Sequence, residues 1–348
     1  MRLRDELRGD SAGERRLQAG GVTVVMTVKN DPMGVALTLS SLAGQTRPPD
    51  EIIVVDGGSS DETLRVIRQY EADLPKLRLI EAPGANIARG RNVGTAEATH
   101  AIIATTDAGC RAEPDWLANL VRPFDQDRRT DFVAGFYVPA PKTLLEEVVG
   151  AATMRGGLHP VCPKTFNPSA RSMAFTKALW VRAGGWPEWL CFSEDTLWDH
   201  KIRRMDVRWE FAGDAIVAWR PRTSLRRIAK QFYNYGTGRG HTQIDARSFR
   251  YNLRNLGFIA LAVGACAVTP WFAFVLLVLV GYFYIWTFHT KAVRIVRQTQ
   301  RIVAYPLCLC VMWTVLLSNT LGYVVGSWQR RRDRDRYCHR MNAYLAVP

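Results

Sequence analysis

The chain has 348 residues and a net charge of +14, carried mostly by arginine. This length accommodates one large α/β domain with an appendage. The seven cysteines form no Cys-x-x-Cys pair and no metal-ligand spacing, which argues against a zinc-finger or dithiol protein and fits a reducing cytosol.

Residues 1–20 form a polar segment ahead of the first apolar run. They carry charges of both signs and lack the apolar core that a signal peptide requires. We therefore expect a flexible tail or an interfacial helix here.

From residue 21 to about residue 131, short apolar runs alternate with segments of helical periodicity. The predicted strands are Val22–Val28, Ile52–Val55, Leu77–Ile80 and Ala101–Thr106. The predicted helices are Met33–Gly44, a helix capped by Ser59 or Ser60, Ile87–Ala98 and Asp115–Phe124. This alternation predicts an α/β fold in which a parallel sheet lies between two layers of helices.

Regular periodicity weakens after residue 131 and then returns. A strand at Phe132–Val138 precedes the stretch Pro139–Pro168, which is rich in Pro and Gly and for which no regular element is predicted. The further predicted elements are a short strand after Ser172, a helix at Lys177–Ala183, a turn at Gly184-Gly185, a helix at Glu194–Met205 and strands at Val207–Phe211 and Ala215–Trp219.

Two long uncharged runs follow. Leu256–Phe288 has 33 residues and Ile302–Trp328 has 27 residues without Asp, Glu, Lys or Arg. Since about 20 helical residues cross a bilayer core, both runs are long enough to span one. Pro270 interrupts the first run, which is either a tilted span starting near Trp271 or a hairpin of two shorter helices. Basic residues on both flanks of the second run leave that choice open.

Basic residues are concentrated next to these apolar runs. From Arg220 to Arg254 there are nine Lys or Arg residues against one acidic residue. This placement favours a membrane surface over nucleic acid as the partner. Within it, Leu225–Tyr235 has an apolar stripe flanked by basic residues, typical of a helix that lies on a membrane or packs its stripe on the preceding domain.

Carboxylates stand at the ends of two predicted strands. Asp56 follows Ile52–Val55, and Asp107 follows Ala101–Thr106. Open α/β folds bind ligands at the carboxyl ends of their strands. The sequence therefore predicts a polar site at this edge of the sheet.

Three segments at that edge, TVVMTVKND (23–31), EIIVVDGGSSDETL (51–64) and AIIATTDAGCRAEP (101–114), together resemble the donor half of glycosyltransferase family 2. The resemblance extends over Val22–Arg222 and implies the GT-A fold and a nucleotide-sugar donor. The donor-binding residues that it implies are Thr27, Lys29, Asn30, Asp56, Arg89, Asn92 and Asp107. Arg91, in the same helix as Arg89, is expected to be a surface charge.

The resemblance also implies a divalent metal. In the family, the acidic strand end is an Asp-x-Asp element that holds the nucleotide-sugar through the cation, and here Gly109 stands in the third position. Mg²⁺ often uses one or two protein carboxylates and completes its shell with phosphate oxygens. We therefore expect Mg²⁺ or Mn²⁺ to bind at Asp107.

The segments NPSARSMA (167–174) and GGWPEWLCFSED (184–195) resemble the acceptor half of the same family. The resemblance implies that Asp195 is the general base of an inverting transfer, a role that typically contributes 10²–10⁴-fold to the rate. Glu194 is expected to orient the site or to cap the helix. Arg171 and Trp186 are assigned to the acceptor or diphosphate region.

Gln231 and Arg239, further along the chain, are assigned to that same region. Asn234 and Tyr235 stand where processive members of the family carry the Arg-Trp of a Gln-x-x-Arg-Trp element, so a chain-extending synthase is not expected. The cluster Gly236–Gly240 predicts a flexible loop that closes on the diphosphate, and the adjacent His241 is not favoured as a catalyst.

The sequence thus predicts an inverting glycosyltransferase of the hexosyltransferase type, which faces the cytosol from the inner membrane and modifies a lipid-linked or cell-envelope glycan. The predicted division is a tail at 1–20, a GT-A domain at 21–222, a basic juxtamembrane segment at 223–254, a transmembrane region at 255–328 and a basic tail at 329–348. Because of Gly109, a catalytically silent scaffold of the same fold is the alternative. A transport subunit is not favoured, since the apolar runs carry no charged residue.

Overall fold

The computed structural model describes residues 18–154 and 166–346, and these residues form two compact units. Unit 1 contains 18–138, 166–219 and 340–346, and unit 2 contains 139–154 and 220–339. The predicted tail at 1–20 lies almost entirely outside the described residues.

Unit 1 is built on an eight-stranded sheet with the order β3-β2-β1-β4-β7-β6-β8-β5. Its strands are β1 Gln18–Val28, β2 Glu51–Asp56, β3 Leu77–Glu81, β4 His100–Asp107, β5 Cys110–Ala112, β6 Phe132–Pro139, β7 Met173–Thr176 and β8 Trp209–Trp219. Strands β1 to β4 are parallel, as predicted.

The rest of the sheet departs from the predicted parallel arrangement. Strand β7 runs antiparallel to both β4 and β6, and β5 runs antiparallel to β8. The two strands predicted at Val207–Phe211 and Ala215–Trp219 are one strand, because Gly213 and Asp214 continue β8 as exposed residues rather than forming a turn. The sheet is therefore mixed.

Helices cover both faces of the sheet. Those of unit 1 are α1 Pro32–Ala43, α2 Thr63–Gln69, α3 Ile87–Glu97, α4 Trp116–Gln126, α6 Lys177–Ala183, α7 Glu194–Ile202 and α13 Arg340–Ala346. Val24 and Met26 of β1 share a buried core with Leu39 of α1, whereas Val25 belongs to a second core with Ala88 of α3. Since side chains alternate across a strand, the two cores lie on opposite faces and confirm the three-layer sandwich.

Two predicted helix bounds are wrong. Helix α2 starts at Thr63 rather than after Ser59 or Ser60, because those serines take part in the turn beside Asp56. Helix α7 ends at Ile202, three residues before the predicted end.

Unit 2 is helical. Its α-helices are α5 Leu144–Thr153, α8 Leu225–Thr242, α9 Ala246–Cys266, α10 Trp271–Tyr284, α11 Thr290–Thr299 and α12 Ala304–Arg332. Helix α5 forms in the stretch for which the sequence predicts no element. Its first turn is stabilised where the Thr143 hydroxyl accepts a hydrogen bond from Glu146 N and the buried Glu146 carboxylate pairs with Arg220 at 2.7 Å.

The first apolar run forms two helices. Helix α9 ends at Cys266 and α10 begins after Pro270, so a break separates two helices that pack on each other. The run is therefore broken before Trp271, and the choice between a tilted span and a hairpin stays a prediction. Two stretches, Trp271–Thr299 and Ala304–Arg332, are long and apolar enough to cross a membrane on length and composition alone.

The cluster Gly236–Gly240 lies inside α8, so the prediction of a flexible loop is wrong. A Cβ atom added to Gly240 would lie 2.5 Å from the carbonyl oxygen of Tyr323, and one added to Gly326 would lie 2.2 Å from that of Thr237. Glycines spaced by four residues on both α8 and α12 thus allow the two backbones to touch, as small residues do in membrane helix pairs.

The segment beyond α12 returns to unit 1. Helix α13 places the Tyr344 hydroxyl 2.8 Å from the carbonyl oxygen of Gly185, to which it donates a hydrogen bond. The Tyr344 ring also covers the Lys201 ammonium at 4.1 Å.

Candidate active site

The predicted site residues gather at the carboxyl edge of the parallel strands. Thr27 pairs in register with Asp107, and Val28 pairs with Asp56. The carboxylates of β2 and β4 therefore flank the end of β1, at the edge where the sequence predicts a ligand site.

Asp56 is buried and organises the turn that follows β2. Its carboxylate accepts hydrogen bonds from the backbone N–H groups of Gly58 and Ser59 at 2.9 and 2.8 Å. Asn30, at φ 51°, holds the same turn, since its side-chain oxygen accepts from Ser60 N at 2.8 Å. The exposed Lys29 precedes Asn30, and donor binding by these residues stays a prediction.

Helix α3 presents different residues from those expected. Arg89 is exposed, whereas the Arg91 side chain is only 5% exposed and is clamped between two carboxylates. It lies 2.9 Å from Asp107 and 2.9 Å from Glu194. The prediction that Arg91 is a surface charge is wrong, because the α3 face that packs inward carries Arg91 and Asn92.

Asn92 supports the acceptor segment from the same helix. Its amide nitrogen donates to Trp186 O and to the Glu188 carboxylate, and its oxygen accepts from Trp180 Nε1 and Trp186 N. All four hydrogen-bonding positions of the amide are thus occupied within the protein. A donor contact by Asn92 is untested and would have to replace one of these bonds.

Trp186 is buried and forms part of an aromatic cluster. Its ring stacks on Trp198 at 4.5 Å and contacts the Phe175 ring edge-on at 6.3 Å. One face covers the Arg91 guanidinium at 5.0 Å. Trp186 therefore shapes the site through Arg91, and an acceptor contact stays a prediction.

Asp107 lies between two arginines. Besides its ion pair with Arg91, its second carboxylate oxygen lies 4.0 Å from Arg171 Nε. Burial opposes the charge of Asp107, but Arg91 and Arg171 outweigh burial and lower its pKa below the ordinary value. The Asp107 side chain stays 29% exposed and ionised, so it keeps a free edge for a ligand.

Arg171 is held by aromatic rings. Its guanidinium lies 4.4 Å from the Trp219 ring centre and 5.5 Å from that of Tyr137. A planar guanidinium fixed in this way beside a strand-end carboxylate is suited to recognising phosphate. The structure thus brings Arg171 next to Asp107, and its assignment to the diphosphate region stays a prediction.

Glu194 and Asp195 begin α7, directly after Ser193 in the left-handed conformation at φ 62°. Burial and the neighbouring Asp195 raise the pKa of Glu194 to about 7, although Arg91 acts in the opposite direction. Asp195 is half-buried, and in the part of the chain that the structure describes its carboxylate accepts hydrogen bonds only from Thr196, the closer at 2.7 Å.

The surroundings of Gly109 bear on the expected cation. At φ 86°, Gly109 has no side chain, and the Asp31 Oδ2 atom lies 3.8 Å from the position that a Cβ would take there. Within the described residues no group of three or more His, Cys, Asp or Glu is placed to hold a metal. Asp107, with the Asp31 carboxylate beside Gly109, fits a Mg²⁺- or Mn²⁺-type ion that takes most of its ligands from phosphate and water.

Two residues assigned from the sequence, Gln231 and Arg239, lie in α8 of unit 2 together with His241, which is not favoured as a catalyst. Gln231 donates a hydrogen bond to the Tyr235 hydroxyl at 2.8 Å, and Arg239 forms an ion pair with Asp245. His241 is buried, stacks on Tyr337 at 4.0 Å and lies 2.7 Å from the Gln329 side chain. His241 is thus packed between neighbouring side chains inside unit 2. The assignments of Gln231 and Arg239 stay predictions.

The three-layer fold and the polar strand-end site define a glycosyltransferase with a GT-A fold and a nucleotide-sugar donor. The model of the family described as "Glycosyl transferase family 2" matches residues 23–173. The match covers 151 of the 348 residues, and over these residues the chain is similar to the family.

The relatives and structures to which the chain is similar agree with this class. Glycosyltransferase AglE of Haloferax volcanii is 27% identical over 252 residues, which cover 69% of this chain and 79% of the relative. A glucosyl-dolichyl phosphate glucuronosyltransferase of the same organism is 26% identical over 43% of this chain and 50% of its own length. The mannosyltransferase PcManGT from Pyrobaculum calidifontis, solved with GDP-Man and Mn²⁺, has a TM-score of 0.54 and 20% identity, with coverage of 88% of this chain and 86% of that one. This likeness shows the shared fold.

Proposed function

We propose that the protein transfers a hexose from a nucleotide-sugar to a lipid-linked or cell-envelope glycan, with inversion at the anomeric carbon and with Asp195 as the general base. The observation that carries the proposal is the different environment of the two carboxylates at the start of α7. Glu194 is paired with Arg91, whereas Asp195 is half-buried and accepts hydrogen bonds only from the adjacent Thr196 within the described residues. Asp195 is therefore the carboxylate of the two that is not held in an ion pair with Arg91, and we assign the base role to it.

In the proposed reaction, Asp195 accepts the proton of the acceptor hydroxyl. The hydroxyl oxygen forms a bond to the anomeric carbon while the bond from that carbon to the diphosphate oxygen breaks. A direct displacement of this kind inverts the configuration. The electron pair leaves with the nucleoside diphosphate, beside which Arg171 supplies a fixed positive charge.

On the donor side, we propose that Asp107 holds a divalent cation, with the Asp31 carboxylate beside Gly109 as a second candidate ligand. When bound, Mg²⁺ or Mn²⁺ neutralises diphosphate charge and so favours departure of the leaving group. The GDP-Man and Mn²⁺ named for PcManGT support this proposal.

A lipid-linked acceptor is supported by two features. The helices at Trp271–Thr299 and Ala304–Arg332 are long and apolar enough to cross a bilayer. One relative carries glucosyl-dolichyl phosphate in its name, which is a lipid-linked sugar. We propose that these helices anchor the protein in the inner membrane, with the catalytic unit on the cytosolic side, where nucleotide-sugars are made.

The test of the base uses Asp195→Asn in the full-length protein. Asparagine has nearly the same shape as aspartate and its side-chain oxygen can still accept the hydrogen bond from Thr196 N, so the substitution removes the base with little structural change. We expect nucleotide affinity to stay within about twofold and transfer to fall by roughly 10²–10⁴-fold, measured as release of the nucleoside diphosphate with a polyprenyl-phosphate acceptor series.

The neighbouring and donor-side variants are the controls. Glu194→Gln should lower turnover much less than Asp195→Asn, because Glu194 does not take the proton. Asp107→Asn should abolish Mn²⁺-dependent binding of UDP or GDP in a calorimetric titration. Near-normal turnover of Asp195→Asn would contradict the base assignment, and unchanged nucleotide affinity of Asp107→Asn would remove Asp107 from the donor site. A wild-type protein that binds nucleotide-sugars without turnover on any acceptor would favour the scaffold alternative.

A further inference from the structure

The Arg91 side chain connects two parts of the site that lie far apart in the sequence, the strand end at Asp107 and the helix start at Glu194. One end of its guanidinium lies 2.9 Å from Oδ1 of Asp107, at the end of β4, and the other end lies 2.9 Å from Oε1 of Glu194, at the start of α7. The two carboxylates belong to segments 87 residues apart in the chain, which meet through this one side chain. Asp107 belongs to the proposed donor site and Glu194 to the proposed acceptor side.

Arg91 lies in a buried environment where its single positive charge interacts with Asp107 and Glu194 at the same time. The side chain is 5% exposed, and the Trp186 ring covers the guanidinium at 5.0 Å. Water screens charges weakly in a buried site, so the interaction of one carboxylate with the Arg91 guanidinium depends on how strongly the other carboxylate attracts it. Burial opposes the charge of Arg91, but Asp107, Glu194 and Asp195 outweigh burial and raise its pKa, so that it stays positive.

The geometry restricts the residue type. A guanidinium is planar and presents donors at both ends, whereas an ammonium is a compact point charge. Lysine at this position therefore keeps the charge but cannot hold both carboxylates in the same fixed arrangement.

We propose that Arg91 is a positioning residue that couples the donor carboxylate Asp107 to the acceptor-side carboxylate Glu194, so that a change at either one alters ligand binding at the other. This inference rests on the proposed function, since it takes Asp107 as part of the donor site. A ligand that neutralises Asp107 leaves more of the Arg91 charge to Glu194. Donor occupancy is thereby transmitted to the carboxylate pair that begins α7.

The decisive experiment measures donor binding in variants of the acceptor side. GDP and UDP are titrated with Mn²⁺ into full-length wild type, Glu194→Gln and Asp195→Asn. The last is the matched control because Asp195 acts on Arg91 only through its charge at longer range, whereas Glu194 forms an ion pair with it. In Glu194→Gln the whole charge of Arg91 falls on Asp107, and we expect Mn²⁺–nucleotide affinity to drop about 3- to 10-fold. In Asp195→Asn we expect a change below about twofold. Equal effects of the two variants, or no effect of Glu194→Gln, would overturn the coupling.

A second comparison passes through Arg91 itself. Arg91→Lys should weaken donor binding, and adding Glu194→Gln to it should produce no further loss, because the connection is already broken. A loss of the same size in both backgrounds would refute the role of Arg91. Thermal melting of each variant separates this result from misfolding, since a merely structural role lowers the melting temperature without linking Glu194 to nucleotide affinity.

The same titration separates this inference from the proposed function. If Asp107→Asn binds Mn²⁺–nucleotide as tightly as wild type, the donor-site proposal itself fails. If Asp107→Asn loses binding while Glu194→Gln keeps it, the donor site stands and only the coupling fails.

Discussion

The glycine contact between α8 and α12 predicts a large effect of one methyl group. In Gly322→Ala, the added Cβ would lie 2.1 Å from the carbonyl oxygen of Tyr233 and 2.9 Å from the backbone nitrogen of Thr237. Both obstacles are backbone atoms of a helix, so neither can rotate away. The methyl group can be accommodated only if the two helices move apart.

The size of that movement sets the expected cost. An ordinary contact begins at 3.4 Å, so the helices must separate by about 1.3 Å at this point. A separation of that size weakens the packing on both sides of the substituted residue, since a gap of about 1 Å removes up to half of a contact's attraction. We expect a loss of about 2–3 kcal/mol in the free energy of unfolding, in the upper part of the range for overpacked cores.

The assay is thermal unfolding of the full-length protein in detergent, followed by intrinsic fluorescence. A loss of this size should lower the melting temperature by about 4 to 12 °C. Gly264→Ala and Gly281→Ala are matched controls, because a Cβ at either position meets nothing within 4 Å among the described residues. They should be neutral or stabilising by about 0.5–1 kcal/mol, since alanine restricts the unfolded chain more than glycine does.

The comparison can refute the reasoning directly. If Gly322→Ala melts together with the two control variants, the backbones of α8 and α12 do not touch as described. The same conclusion would follow if all three variants were destabilised equally, because the cost would then come from the helical glycine itself.

Three further predictions follow from the site and the chain path. The pKa of Glu194 is raised from an ordinary 4.5 to about 7 in the folded protein, so its contribution to stability is present at low pH and is lost as the pH rises through about 7. The melting temperature of Glu194→Gln relative to that of wild type should therefore increase between about pH 5 and 8. A constant difference would count against the raised pKa. The full-length chain should resist carbonate extraction from membranes, whereas a chain ending near Arg254 should be released; release of the full-length chain would rule out spanning helices. Tyr344→Phe should lower the free energy of unfolding by about 0.5–1.5 kcal/mol through the lost bond to Gly185, and unchanged melting would contradict the docking of α13.

The parallel part of the sheet could be predicted from the sequence because the local pattern of short apolar runs agrees there with the positions that these strands take in the sheet. The apolar runs that end at Asp56 and Asp107 are short strands buried in the sheet, and a carboxylate directly after such a strand has to lie at its carboxyl end. Helix α6 was predicted with its observed bounds, because Gly184 provides the left-handed residue that ends it. The antiparallel pairing of β7 was not readable, since strand direction depends on partners distant in sequence.

Arg91 was missed for a physical reason. Arginine is usually exposed, and only the placement of α3 on the sheet shows which face packs inward. A signal was nevertheless present, since Ala88, Arg91, Asn92 and Thr95 recur at helical spacing and are all buried. A stripe with polar members at apolar positions indicates a buried polar network.

The glycine cluster was misread in the opposite direction. Glycine weakens an isolated helix, and so Gly236–Gly240 predicts a loop from local propensity. Its spacing of four residues matches that of Gly322 and Gly326. Each pair of glycines allows close approach of the two helices only because the other pair lies opposite. The helix–helix contact therefore cannot be predicted from either segment alone.

The hydrogen bond from Tyr344 to Gly185 has a consequence for the order of events during synthesis. Domains generally fold as units while the chain emerges, with the N-terminal part first. Unit 1 is different, because its residues 340–346 are translated after all of the helices of unit 2. The hydrogen bond from Tyr344 to Gly185 can therefore form only after the apolar helices have been made, so unit 1 reaches its final set of contacts after unit 2 has been translated.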